Sequence, residues 1–306
     1  MAEKTEPKAT TKLDSLGIFY ALLGAALFSL KPVMVKLMFA ENLSVEAIMT
    51  WRMIFSLPFY LIIGYLVYQQ RKTEVKFTPK IIIQSSAIGI IAYYGATFFD
   101  LLGIQYITAQ LERIILFTYP TFVAIFGYLF FREKISLKQF LAMLLAYLGI
   151  AIMFGNELTL IGENTIEGGL WVLLAALAYA TYMLFQKFPI QIIGSRLFTS
   201  IAMTAASIAI FIHVAFSSGL EFTEISYYGL FLSFITAVVC TVAPSYLLAE
   251  AVSRIGSGPT SISIGIGPIF TSIFAVFALG ENFTIYHLGG TILVIIGIYL
   301  LSQVKQ

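Results

Sequence analysis

The chain has 306 residues, 59% of them hydrophobic and 11% charged, with a mean hydropathy of +0.92. A soluble domain carries about one-quarter charged residues, so this is the composition of an integral membrane protein. A net charge of +2 without a basic run interleaved with aromatics argues against a nucleic-acid partner, and the single cysteine, Cys240, rules out an intramolecular disulfide or a cysteine metal cluster.

Residues 1–15 read as a polar tail. They are not a cleavable signal, because the apolar run that follows is longer than a signal core and is not closed by a small-residue cleavage site. A bilayer core takes about 20 apolar residues per helix, and the chain divides into ten such runs. Their expected limits are 16–38, 44–68, 80–101, 107–130, 137–154, 168–187, 196–217, 226–248, 256–279 and 285–303. The alternating ten-residue pattern of a membrane β-barrel is absent, so the expected class is an all-α membrane protein.

Ionisable residues at membrane depth are expensive, about 2.5–3.5 kcal/mol each on insertion scales, and by default mark function. Here they collect in the first half of the chain: Lys31 and Lys36 in span 1, Arg52 in span 2, Asp100 in span 3, Glu112 and Arg113 in span 4. Helical spacing groups them with aromatic and polar neighbours: Phe28 with Lys31, Tyr93 and Thr97 with Asp100, Glu112 with Tyr119, and Tyr179 with Tyr182 and Gln186 on span 6. These are the candidate cavity residues. Lys36, Arg52 and Arg113 also stand near enough to helix ends to snorkel to the outer interface, and Lys31 could instead form a structural ion pair with Asp100 or Glu112. Pro32, Pro120, Pro244 and Pro268 mark hinges or kinks, joined by Pro259 and by Gly256, Gly258, Gly265 and Gly267. Glu133 and Glu281 read as loop anchors that cap helices, His213 as interfacial, and His287 as isolated.

Basic residues orient the chain. With a cytoplasmic N-terminus, Lys4, Lys8, Lys12, Arg71, Lys72, Lys76, Lys80, Arg132, Lys134, Lys138, Lys187, Arg196, Arg254 and Lys305 all fall inside, whereas Glu41, Glu157, Glu163, Glu221, Glu224 and Glu281 occupy the outer loops. Both termini are therefore expected in the cytoplasm. Sliding the chain on itself by 148 residues (268 less 120) sets Pro120 against Pro268, Phe122 against Phe270, Glu133 against Glu281 and Gly149 against Gly297. Two copies of five spans must enter the bilayer from opposite sides, so the expected architecture is two inverted five-helix repeats, 16–154 and 168–303.

Pro120 followed by "FREKISLKQFLAMLLAYLGI", Pro268 followed by "LGENFTIYHLGGTILVIIGI", "AVSRIGSGPTSISIGIGP", "FSLKPVMVK" and Arg52 early in the second span together resemble the tandem EamA-type domains of the drug/metabolite transporter superfamily. The resemblance covers about 16–303. It departs at "AQLERIILFTYP", where Glu112 and Arg113 replace small or apolar residues. It implies a ten-helix carrier whose cavity is lined by spans 1, 3, 4, 6, 8 and 9, with substrates ranging over amino acids, amines, nucleotide sugars, phosphorylated metabolites and drugs.

No nucleophile–base pair, metal-ligand cluster or phosphate-binding glycine loop is present, so neither enzymatic activity nor a cofactor is expected. The expected function is a secondary transporter of the cytoplasmic (inner) membrane, working by alternating access and exporting amino-acid-like, amine or drug-like solutes. Uptake or exchange of an anionic metabolite is the alternative among carriers, and a non-transporting scaffold or receptor the alternative from another class. A small-molecule substrate and the lipid bilayer are the expected partners, with a coupling proton and a homodimer left open.

Overall fold

The computed structural model describes residues 14–71, 77–132, 135–217, 225–255, 260 and 263–302. Glu133, Glu221, Glu224, Gly256, Gly258 and Pro259 lie outside them, as do the basic residues of the N-terminal tail. Within lipid a backbone can satisfy its own N–H and C=O groups only as a helix or a closed barrel, and every regular element among the described residues is helical.

Helix α1 (Ser15–Ser29) starts where the Asp14 carboxylate accepts the Leu16 N–H at 3.0 Å. It breaks at Leu30, and α2 (Lys31–Ala40) restarts with Pro32 in its first turn, where a missing N–H is tolerated. Next come α3 (Val45–Arg71) and α4 (Pro79–Gly89), the latter capped by Thr78. A π-helical segment (Ile90–Gly95) joins α4 to α5 (Ala96–Ile104). Helices α6 (Ala109–Leu116) and α7 (Tyr119–Phe131) form the next crossing, broken at Phe117 and Thr118. A reciprocal Ser136–Gln139 capping box opens α8 (Leu137–Ile161). The chain continues through α9 (Asn164–Phe185), α10 (Lys187–Ile193), α11 (Ser195–Ser217) and α12 (Tyr227–Ala237). A second π segment (Val238–Val242) leads into α13 (Ala243–Ile255), followed by α14 (Gly267–Leu279) and α15 (Ile285–Ser302).

Among the described residues, eight continuous helical stretches are long and apolar enough to cross a membrane, and Gly267–Leu279 and Ile285–Gly297 are shorter apolar helices. The expected ninth span began at 256, and most of 256–262 falls outside the described residues. The expected fifth span stopped at 154, yet α8 runs on to Ile161 and carries Glu157 into a site only 1% exposed. There the carboxylate accepts the Thr108 N–H at 3.2 Å and the Thr108 hydroxyl, so the polar stretch stays helical and Glu157 is not a loop residue.

The molecule is apolar outside as well as inside. Leu61, Ile62, Leu129, Phe216 and Phe277 are exposed, whereas Lys31, Arg52, Asp100, Glu112 and Arg113 are buried. Local irregularities recur in the register that sets Pro120 against Pro268. The π segments start at Ile90 and Val238, the residues preceding α7 and α14 are Thr118 and Ile266, and both helices end in left-handed residues, Arg132 (φ 57°) and Gly280 (φ 66°). The principal packing pairs are α8 with α15, α1 with α13, α3 with α11, and α5 with α9.

Helices α8 and α15 meet backbone to backbone. A Cβ added at Gly290 would lie 2.5 Å from Met153 Cγ and 2.7 Å from the Gly149 carbonyl oxygen, while one at the adjacent Gly289 would meet nothing within 4 Å. Gly290→Ala is therefore expected to destabilise by about 1–3 kcal/mol through overpacking, and Gly289→Ala to be neutral or stabilising. Paired thermal melts in detergent check the contrast.

Candidate functional site

Lys31 opens α2 directly after the break at Leu30, which turns its side chain towards α5. Its Nζ lies 2.7 Å from Asp100 Oδ2, with the two residues 9% and 4% exposed. The other Asp100 oxygen, Oδ1, has no hydrogen-bond partner.

Pro32 decides what happens next to this pair. In a continuous helix the Phe28 carbonyl would accept the N–H of residue 32, but proline has none. Arg113 supplies the missing donor: its Nη2 bonds the Phe28 oxygen at 2.9 Å, and its guanidinium lies 4.9 Å from the centroid of the Phe28 ring. The Ser29 carbonyl next to it accepts from the Thr271 hydroxyl of α14 at 3.0 Å. Glu112 precedes Arg113 on α6, with its Oε2 3.9 Å from Arg113 Nε. The Glu112 and Asp100 carboxyls also lie within electrostatic reach of each other. Glu112 Oε2, Arg113 Nε and Arg113 Nη1 are buried without a partner. The result is a mixed-charge centre with donors and acceptors left over.

A tyrosine layer adjoins it. Tyr119 packs edge-on against Tyr179 (4.9 Å between centroids), Tyr179 stacks with Tyr182 (5.9 Å), and Tyr182 meets Tyr93 edge-on at 5.3 Å with their hydroxyls 3.2 Å apart. Tyr60, absent from the sequence-based candidates, is fully buried, stacks obliquely on Tyr246 at 5.8 Å and shares a 3.2 Å hydrogen bond with Ser245. A cavity of about 310 Å³ lies between α4 and α9–α10, bounded by Gln84, Ile88, Ile91, Thr181, Phe185 and the tyrosine layer at Tyr182.

The remaining candidates fall in different places. Thr97 is buried on α5 one turn from Asp100. Gln186 is not in the charge cluster; it terminates α9 and donates to Met183 Sδ at 3.0 Å. Pro120 and Pro268 occupy the first turns of α7 and α14, and Pro244 follows the second π segment. Arg52 and Arg113 do not snorkel: they are 2% and 1% exposed. Sequence distance from a helix end could not reveal this, because neighbouring helices cover those ends. Cys240, in the second π segment, is buried within electrostatic reach of Arg113, Arg52 and Lys31. His287 is not isolated, since its Nδ1 accepts from the Thr284 hydroxyl at 2.7 Å and its Nε2 is 4.0 Å from Glu157. His213 lies edge-on to Phe98 and Tyr94.

Both ends of the bundle are tied by polar contacts. Glu281 accepts the Ala109 N–H at 2.8 Å and the Gln110 side chain at 3.1 Å. It thus joins Glu157 at the N-terminus of α6, where the helix dipole favours anions. At the other end, Arg254 bonds Asp14 at 3.1 Å and Glu250 at 2.9 Å, and Arg196 reaches the second Glu250 oxygen. Arg254 holds the Asp14 carboxyl below its usual range, and Asp14 and Glu250 hold the Arg254 guanidinium above its own.

Removing one member of a buried ion pair strands the other, typically at about 3–5 kcal/mol. Lys31→Met and Asp100→Leu should each destabilise on that scale, and the double variant should recover most of the loss. Denaturation of the four proteins of this cycle in detergent measures the coupling.

The EamA-like transporter family matches residues 15–155 and again 166–303. The uncharacterized transporter YcbK of Bacillus subtilis (strain 168) is 25% identical over 305 residues, covering 96% of both chains. The uncharacterized transporter YyaM of the same organism is 22% identical over 300 residues, covering 95% of each. An uncharacterized transporter of Archaeoglobus fulgidus is 23% identical over 227 residues, covering 72% of this chain and 76% of its own. A protein of known crystal structure shares the fold, with a TM-score of 0.61 at 12% identity over 93% of this chain and 96% of its own. Two successive matches to one family, spanning nearly the whole of a multi-pass helical chain, make this protein a member of the EamA-like transporter family, and so a membrane transporter rather than an enzyme.

Proposed function

We propose that the chain is a ten-span secondary transporter of the cytoplasmic membrane with both termini inside, built of inverted repeats 16–154 and 168–303. It exports a small zwitterionic, amino-acid-like solute by alternating access. The observation that carries the substrate class is the buried centre of Lys31, Asp100, Glu112 and Arg113, which combines both charge signs with unsatisfied donors and acceptors beside a tyrosine wall. A membrane-embedded centre left incomplete in this way is suited to a solute that brings the missing partners. The repeat reading is supported by the paired π segments and helix breaks, and by the exchange of α1–α13 for α5–α9 packing under the repeat. The orientation is supported by the basic residues on one side, and export follows the family resemblance.

Alternating access means rocking one repeat against the other around the midplane site. The contacts of Glu157 and Glu281 with the start of α6 close one end, and the Asp14–Arg254–Glu250–Arg196 network closes the other. The cavity of about 310 Å³ at Tyr182 is the cytoplasmic approach. Coupling resides in Asp100 and Glu112: two buried carboxyls near each other resist both being ionised at once, so this pair is where a counter-transported proton rides.

The test is reconstitution in liposomes with labelled zwitterions, amines and organic anions, with and without a pH gradient. Saturable, gradient-stimulated flux of zwitterions is expected in the wild type, with that stimulation lost in Glu112→Gln. Absence of saturable flux for every class would favour the scaffold, and preference for organic anions would favour the anionic-metabolite carrier.

A further inference from the structure

We infer that Arg52 is the specificity residue that receives the carboxylate of the transported solute; the inference rests on the transport reading above. Arg52 lies two turns into α3 and is 2% exposed. Its Nε has no hydrogen-bond partner, and among the described residues no carboxylate forms an ion pair with its guanidinium. Its backbone carbonyl is occupied by the Ser56 hydroxyl at 2.7 Å, and Met49 and Met53 on the same helix are also buried. The groups that feel its charge are Asp100, Tyr60 and Cys240.

A comparison of the three buried cations among the described residues isolates this one. Lys31 has Asp100, and Arg113 has the Phe28 carbonyl, the Phe28 ring and Glu112. Lys31, Arg52 and Arg113 all lie within electrostatic reach of Cys240, and among the described residues the buried carboxyls of this cluster are Asp100 and Glu112. With every group ionised the centre carries one positive charge in excess, and Arg52 is the group without a partner. An uncompensated buried charge is strongly destabilising, so the Arg52 guanidinium is poised for an anion. A guanidinium presents its N–H groups in a planar fork that matches a carboxylate bidentately, which an ammonium does not. A simple amine would add a second unmatched positive charge, whereas a zwitterion adds none. Its carboxylate goes to Arg52, and its ammonium to the acceptors left over at Asp100 Oδ1 and Glu112 Oε2.

Two measurements test the assignment. The first needs no ligand: the substrate-free melting temperature of Arg52→Gln should equal or exceed that of the wild type, since the change removes a charge without a partner. A fall of several degrees would make Arg52 a structural group and overturn the inference. The second uses proteoliposomes of the full-length protein and labelled amino acids, each paired with the amine formed by removing its carboxylate. Wild type should favour the acid member by about 10- to 100-fold, the usual reach of charge-assisted hydrogen bonds. Arg52→Gln should bring that ratio close to one, and Arg52→Lys should fall between. A ratio unchanged in Arg52→Gln overturns the role of Arg52 while leaving transport intact. Absence of saturable wild-type flux for any pair overturns the transport reading and this inference with it.

Discussion

The carbonyl of Phe28 loses its ordinary helical donor, because residue 32 is proline, and the rest of the centre is arranged around that loss. Arg113 fills it across the helix interface, which fixes α6 against α1 and brings Glu112 close to Asp100. The same break lets α2 begin with Lys31 facing α5, at 2.7 Å from Asp100. A buried arginine bonded to a backbone oxygen keeps its full charge, so satisfying the carbonyl leaves an electrostatic demand that Glu112, at 3.9 Å, only partly meets. The helix break and the charge cluster are thus one feature. A regular span 1 would have satisfied Phe28 internally and left Arg113 without a reason to be inside.

Much of this could be read in advance, and the limits have physical causes. Apolar run length located the eight long apolar helices among the described residues, because lipid imposes it on each helix separately. The depth of Lys31 and Asp100 made their pairing one of two alternatives, since two opposite charges in the same layer attract strongly. Arg52 misled because its closeness to a helix end is a local property, whereas its burial is made by neighbouring helices. Glu157 misled for a similar reason: a polar stretch reads as loop until its carboxylate is seen to reach Thr108, far away in the chain. The Glu281 contact with α6 spans still more sequence, and no local pattern encodes which helix start such a residue will meet.

Under the repeat reading, the shared elements and the singular ones separate. The prolines at the starts of α7 and α14, the π segments and the left-handed helix ends occur in both halves. The charges do not: a shift of 152 residues (169 less 17), which sets Gly17 against Gly169 and Leu22 against Leu174, puts Met183 and Leu184 opposite Lys31 and Pro32, within an unbroken α9. On the proposed transport mechanism the symmetric parts belong to the mechanics of the scaffold and the asymmetric parts to recognition, which would let cargo change within the first half alone.

The π segment at Ile90–Gly95 works as an angular setting. One residue of an α-helix accounts for about 100° of rotation about the axis, and a π turn contains one residue more than an α turn. Asp100 lies just beyond that extra residue, so the direction in which its carboxylate faces is set by an insertion in the preceding turn. Take out a single residue between 90 and 95 and the helix could close into ordinary α geometry, with every backbone bond intact and the composition almost unchanged. Asp100 would then face roughly a quarter-turn away from Lys31, and a chain that still inserts and packs would have a blank where its charged centre stood.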